Sequence, residues 1–222
     1  MHALAAPPRS ISPKYFYDAQ GSRLFDQICS LPEYYPTRTE RAILARHAAE
    51  MAAQIGPGAE IVEFGAGSCE KVRLLLPALD RPACYMPMDI SGEHLNQAAQ
   101  SLGAEFPELE VAPVVGDYTR MPALPPAQGR RVGFFPGSTI GNFTPQEALS
   151  FLSAAARLLA GGGLLLGADL IKDPALLHAA YNDAQGITAA FNLNLLARAN
   201  RELATRFELD QFAHSAFYNA GL

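Results

Sequence analysis

Residues 61–71 read IVEFGAGSCEK, and the fold turns on this stretch. A short apolar run carrying one acid, residues 61–64, breaks into Gly65-x-Gly67 and then a polar turn that leads toward a helical pattern. A buried parallel strand hands over to a helix in this way across a nucleotide-like ligand. Glycine lets the main chain come close to that ligand because no Cβ stands between them. The turn is Glu-x-Gly-x-Gly and not the full G-x-G-x-x-G of dinucleotide sites, because Glu70 stands where the third glycine would fall. The expected ligand therefore carries no pyrophosphate. Taken alone, the same stretch also suits a tight strand–helix turn with no ligand.

Working outward, strand and helix patterns alternate from residue 59. Strands are expected at 61–64, 83–89, 109–115, 131–135 and 163–170, with Pro113 marking the third as an edge or bulged strand. Between them, helices are expected at 72–79, limited by Pro77, and at 94–102, capped by Ser91. Thr144, Pro145 and Glu147 combine an N-cap, an N1 proline and a capping-box acid, and the helix they open runs to Ala160. Repeated βα units imply a parallel sheet with right-handed crossovers. Upstream lies a Pro/Ala-rich start of ten residues that is expected to be loose, followed by a short helix within 15–30 and a Pro-bounded loop, LPEYYP, at 31–36. Thr37 and Glu40 form a Thr-x-x-Glu capping box ahead of a helix that places Ile43, Leu44, His47, Met51 and Ile55 on one face; Gly56-Pro57-Gly58 ends it. After Asp173 the pattern becomes helical, at 176–184 and 188–203, the second with Phe191, Leu195, Ala199 and Leu203 as a core stripe.

At 222 residues, with 49% hydrophobic and 18% charged residues, the chain can bury a sizeable core. A net charge of −5 argues against a nucleic-acid partner. Cys29, Cys69 and Cys84 are odd in number and make no C-x-x-C pair, so free thiols in a reducing compartment are expected, with neither a disulfide framework nor a metal site. The N-terminus has no signal-peptide core, and the longest apolar run is too short to span a bilayer, so a soluble cytoplasmic protein is expected. His47, His94, His178 and His214 are dispersed and read as structural or surface residues. Cys69 sits at the expected start of a helix, a position that can lower a thiol pKa, although loop packing is the plainer reading.

Ligands of an open parallel sheet bind at the carboxyl ends of its strands. After the first strand come Gly65 and Gly67, and the second ends in Asp89, a carboxylate able to accept from both hydroxyls of a ribose. Gly116-Asp117-Tyr118 follows the third, an acid and an aromatic suited to an adenine amine and ring. After the fourth comes a small-residue loop, 136–143, reading PGSTIGNF. This joint pattern suits S-adenosylmethionine, which has ribose and adenine but no phosphate. A nicotinamide-dependent dehydrogenase shares the first two features and is the weaker alternative.

Five stretches together, Tyr15-Phe16-Tyr17-Asp18, Gly21-Ser22, Leu24-Phe25-Asp26, residues 31–40 (LPEYYPTRTE) and residues 137–142 (GSTIGN), resemble the histidine-specific S-adenosylmethionine methyltransferases, and the resemblance covers the chain from about residue 12. The resemblance implies an α/β fold: a Rossmann-type methyltransferase sheet with a small, mostly helical substrate-binding subdomain. That subdomain would comprise residues 1–58 and 174–222, with the methyltransferase core at 59–173. It implies methylation of the α-amino group of L-histidine to hercynine, in ergothioneine biosynthesis. By resemblance Tyr17, Gly65, Lys71, Asp89, Asp117 and Tyr118 bind the cofactor, and the reading of the turn itself adds Gly67. Tyr34, Asn142 and Tyr181 hold the amino acid's α-amino and carboxylate groups, with Tyr34 and Asn142 acting in catalysis.

Family members continue further, into the final sheet strands and a segment that reads the imidazole. The expectation is a cofactor site largely present, a substrate pocket lacking a wall, and either a family-like monomer or self-association through an exposed sheet edge. Two alternatives follow: an N-methyltransferase for another amino acid such as tryptophan, or an inactive cofactor-binding module.

Overall fold

The computed structural model describes residues 9–219, so the expectation of a loose start falls outside it for residues 1–8. The described residues contain six α-helices: α1 (Ala19–Ser30), α2 (Tyr35–Ile55), α3 (Gly92–Glu105), α4 (Pro145–Leu159), α5 (Pro174–Tyr181) and α6 (Ile187–Leu203). Six strands accompany them: β1 (Glu60–Phe64), β2 (Cys84–Asp89), β3 (Glu110–Val111), β4 (Val114–Val115), β5 (Arg131–Phe135) and β6 (Gly163–Leu166). Two compact units result, one of residues 35–171 and one of the described residues up to Tyr34 together with those from Lys172 onward. Among the described residues no helix is long and apolar enough to cross a membrane.

In the first unit every strand pairing is parallel, and the order is β3-β2-β1-β5-β6, with β4 also on β2. β1 lies centrally. The chain steps from it to β2 on one side and returns to β5 on the other, which makes the β1/β5 boundary the topological switch where α/β sheets bind ligands. Side chains alternate across the sheet. Ile61, Tyr85, Val132 and Phe134 pack with Leu44, Ile55, Leu95 and Leu102 on one face. Val62, Phe64, Met86, Met88 and Phe135 pack with Phe151 and Leu159 on the other. At the amino end of the sheet the buried pair Glu60–Arg131 joins β1 to β5 in register, with Nε to carboxylate at 2.9 Å and Gln128 N–H donating to the same carboxylate at 2.7 Å.

Several local expectations hold. The Thr144–Glu147 capping box forms, with reciprocal bonds of 3.3 and 2.8 Å. The third strand splits into β3 and β4 around Ala112-Pro113, since proline has no N–H to give the ladder. Others change. The helix expected at 72–79 is two single 3-10 turns, Val72–Leu74 and Leu76–Ala78, because Pro77 removes a donor while Val72, Leu75 and Leu76 are each drawn into the core. β6 ends at Leu166, short of residue 170. α2 begins at Tyr35, so Thr37 lies inside the helix and no Thr37–Glu40 capping box forms. On its expected apolar face Leu44 and Ile55 are buried but Ile43 is exposed.

In the second unit, Phe16, Tyr17 and Phe25 surround Phe191 of α6 with ring centroids 5.1, 5.5 and 6.0 Å away. Asp18 caps α1 by accepting from Gly21 N–H at 2.7 Å, and it also accepts from Asn194 at 2.8 Å and Arg201 at 2.5 Å on α6. Asp183 caps α6, accepting from Ile187 and Thr188 N–H at 2.9 and 2.8 Å. Of the expected α6 stripe, Phe191 and Ala199 are buried while Leu203 is half exposed.

Candidate active site

The turn after β1 is built by backbone geometry. Gly65 and Ala66 N–H both donate to Met88 O, at 2.8 and 3.0 Å, keeping the chain on the end of β2 as it reverses. Gly65 and Gly67 then adopt φ of +72° and +52°, a region costly for any residue with a Cβ. Asp89 braces the turn from the neighbouring strand, accepting from Gly67 N–H at 3.1 Å and from Ser91 N–H at 2.9 Å. A carboxylate offers about four lone-pair sites, so acceptor capacity remains for a vicinal diol. A Cβ built on Gly67 would meet no atom within 4 Å, whereas one on Gly65 would lie 3.3 Å from the Tyr118 ring.

Asp117 and Tyr118 follow β4. Asp117 accepts from Thr119 N–H and hydroxyl at 2.9 and 2.6 Å, which sets its carboxylate. The Tyr118 ring packs against Phe135, Phe143 and Phe151 at 5.6–6.5 Å, so it is a floor beneath Gly65. Burial, then the charges of Asp89 and Asp117, push its hydroxyl pKa up. Gly65, Asp89, Asp117 and Tyr118 therefore meet at one sheet edge, as the sequence pattern requires.

Lys71 ends the turn, 2.6 Å from the carboxylate of Glu40 on α2. That carboxylate also accepts Gly137 N–H through both oxygens, at 2.7 and 2.9 Å. Gly137 opens the loop after β5 at φ +84°, Ser138 follows at φ +54°, and a 3-10 turn, Thr139–Asn142, presents Asn142 exposed at its end. The Ser138 hydroxyl accepts from Asp169 N–H at 2.9 Å, and the Asp169 carboxylate accepts from the buried Tyr35 hydroxyl. Glu40, Ser138 and Asp169 were not among the site residues expected from the sequence. The sequence marked Glu40 as a helix cap within a family motif, because its true partners are distant along the chain.

Beneath the turn, Glu63 is fully buried and accepts from the Tyr85 hydroxyl. Burial pushes its carboxyl pKa up to about 8, against the opposing effects of Tyr85 and Lys71. Cys69 is also buried, at φ +56°, and burial together with the Glu63 charge pushes its thiol up to about 12. The loop-packing reading of Cys69 holds and a helix-lowered thiol does not arise: no α-helix starts there among the described residues, so no helix dipole stabilises a thiolate.

The second unit carries Tyr34, Tyr181 and Tyr17. Tyr34 is buried with its ring edge-on to Tyr181 at 5.9 Å, and Phe25 packs against both Tyr34 (6.4 Å) and Tyr17 (5.5 Å). Burial, then Tyr181, raises the Tyr34 hydroxyl far above the ordinary tyrosine value, so it stays protonated at any physiological pH. Tyr34 can therefore donate or accept a hydrogen bond but cannot serve as a resting base.

The first unit's groups suit a nucleoside without phosphates. Two carboxylates stand ready for ribose and adenine donors, and the space over Gly67 is open. The ammonium of Lys71 is committed to Glu40, and the turn leads into 3-10 segments without the α-helix N-terminus that binds a pyrophosphate. A Rossmann-type sheet with this edge defines a class, the S-adenosylmethionine-dependent methyltransferases. Within that class the chain belongs to the family described as histidine-specific, SAM-dependent methyltransferases, whose model matches residues 1–222. It is 48% identical over 221 residues to the histidine N-alpha-methyltransferase of Mycolicibacterium smegmatis and 44% identical over 221 residues to that of Mycobacterium tuberculosis. Each alignment covers 98% of this chain and 68% of the relative. It is also 36% identical over 201 residues to ergothioneine biosynthesis protein 1 of Neurospora crassa, covering 87% of this chain and 23% of that protein.

Proposed function

We infer that this chain transfers methyl groups from S-adenosylmethionine to the α-amino nitrogen of L-histidine, forming hercynine in ergothioneine biosynthesis. The observation that carries the reading is the Gly65–Gly67 turn, open above Gly67 and braced by Asp89, in a chain that the histidine-specific family model matches throughout. When bound, S-adenosylmethionine supplies an electrophilic sulfonium methyl. Asp89 accepts from the ribose hydroxyls, Asp117 accepts from the adenine amine, and Gly65 and Gly67 admit the cofactor to the main chain. Tyr17 and Lys71 complete the proposed cofactor set.

For the acceptor, the residues are proposed on the family resemblance. The Asn142 carbonyl accepts an N–H of the α-amine and aims its lone pair, while Tyr34 and Tyr181 hold the amine and carboxylate. Positioning of this kind supplies much of the rate of an in-line displacement. The raised pKa of Tyr34 supports a hydroxyl that orients the amine and leaves its proton to water. The substrate-binding subdomain, expected at 1–58 and 174–222, is proposed on the narrower unit of the described residues up to 34 and from 172, since residues 35–58 cluster with the sheet unit. A cytoplasmic reaction is proposed on the odd cysteine count and the lack of a C-x-x-C pair in the sequence.

Incubating the purified chain with S-adenosylmethionine and L-histidine, followed by mass spectrometry, tests the reading. Mono-, di- and trimethylated histidine are the expected products. A folded chain that binds S-adenosylhomocysteine yet leaves histidine unmethylated would overturn the acceptor. No binding of S-adenosylhomocysteine at millimolar concentration would overturn the cofactor.

A further inference from the structure

Glu40 lies on α2, outside the strand-end loops, yet its carboxylate reaches three of them. It pairs with Lys71 at the end of the β1 turn and accepts Gly137 N–H at the start of the loop that carries Asn142. After β6, it lies so close to Gly167 that a Cβ there would run into it. A Cβ on Gly137 would likewise come within 3.0 Å of Lys71 Nζ. Glycine at 137 and 167 is thus what admits the Glu40–Lys71 pair to the carboxyl edge of β1, β5 and β6. The side chains of Glu40 and Lys71 are 17% and 21% exposed, so water screens the pair weakly.

We propose that Glu40 is a positioning residue for methyl transfer: one carboxylate fixes both the Lys71 ammonium beside the cofactor turn and the amide from which the Asn142 loop departs. This deepens the proposed function and rests on it. Charge-assisted hydrogen bonds of this kind are short and strong, and removing one partner leaves the others unsatisfied. With Glu40 in place, Lys71 is held on the β5 side of the turn, across β1 from Asp89 and Asp117 after β2 and β4, so it faces the amino-acid portion of a cofactor whose nucleoside those acids hold, and the Gly137 main chain is held by the same group. Losing the charge frees the Lys71 ammonium and leaves the Gly137 N–H only a neutral acceptor, so the effect falls on the amino-acid end of the ligand and leaves the nucleoside end, held by Asp89 and Asp117, alone.

The test compares two ligands by calorimetry: S-adenosylhomocysteine, and 5′-methylthioadenosine, which shares the nucleoside and lacks the amino-acid portion. Glu40→Gln should weaken S-adenosylhomocysteine by about tenfold or more, the scale of a lost charge-assisted hydrogen bond, with 5′-methylthioadenosine unchanged within about twofold. Lys71→Met should show the same split, and the double variant should lose no more than the worse single change, because the two residues act as one unit. Equal losses for both ligands, an unchanged S-adenosylhomocysteine affinity in Glu40→Gln, or additive losses in the double variant would each overturn the proposal. Should Glu40→Gln not fold, Glu40→Asp keeps the charge, withdraws it by one methylene and must give the same split. Wild-type chain that binds neither ligand would instead strike at the cofactor reading itself.

Discussion

Gly67→Ala separates folding from ligand binding at a single methyl group. In the free chain the added Cβ meets nothing within 4 Å, so the only folding cost is holding alanine at φ +52°. That region costs an L-residue roughly 1–2 kcal/mol. The same chain already carries alanine there twice, at Ala160 (φ +47°) and Ala204 (φ +53°), so the variant should fold. For a chain of this size the cost corresponds to a fall in Tm of roughly 2–8 °C. Binding should suffer separately. If the open space over Gly67 is where the cofactor lies against the main chain, the methyl group intrudes on the ligand, and overpacking of a fitted contact costs about 1–3 kcal/mol. That is a loss of about 5- to 150-fold in affinity. Calorimetric titration with S-adenosylhomocysteine, alongside a thermal melt of the free chain, measures both quantities. A lowered Tm with unchanged affinity would refute the reasoning, because it would show that no ligand occupies the space the structure leaves open.

Three further outcomes are expected. Burial raises the Asp18 pKa, but Gly21 N–H, Arg201 and Asn194 together leave it below the ordinary carboxylate value. Its stabilisation is therefore complete above about pH 4 and is lost as pH falls through the lowered folded value. Asp18→Ala should cost about 1 kcal/mol at pH 7 for the lost cap, with the deficit shrinking in acid, as thermal melts across pH will show. Glu63 has the opposite sign. With its folded pKa raised to about 8 it binds more protons folded than unfolded, so wild-type stability should decline as pH rises from about 4.5 to 8. Glu63→Gln should flatten that decline, and an equal slope in denaturant unfolding would show that Glu63 is not its source. Tyr34→Phe should lower kcat/KM for histidine roughly tenfold or more through a lost hydrogen bond to a charged substrate group. Because Tyr34 stays protonated, the rise of kcat/KM with pH in the wild type should persist in the variant; its disappearance would make Tyr34 a base after all.

What local chemistry governs was legible in the sequence. The Gly65-x-Gly67 turn needs left-handed backbone that glycine alone takes cheaply, and both residues adopt it. Thr144 and Glu147 are three residues apart, within reach whatever the rest of the chain does, and their box forms. The alternation of strand and helix was enough to order Gly65, Asp89 and Asp117 along one sheet edge, because successive parallel strands end on the same side. The same local logic misread Glu40. The spacing to Thr37 is that of a cap, but Lys71 and the Gly137 amide outbid the cap with an ion pair and two hydrogen bonds brought near by the fold.

Burial was the other quantity hidden from the sequence. Neither the raised carboxyl of Glu63 nor the raised thiol of Cys69 follows from residue type, because each shift comes mainly from burial in the folded chain. By itself the sequence determined the turn, the order of the strand-end acids and, through its motifs, the family. Only the tertiary structure decided that Pro77 and the core divide the expected helix into two short turns, and that one glutamate on α2 ties the cofactor turn to the Asn142 loop. Backbone preference acts over a few residues and can be read along the chain, whereas the energy of a buried charge depends on everything packed around it.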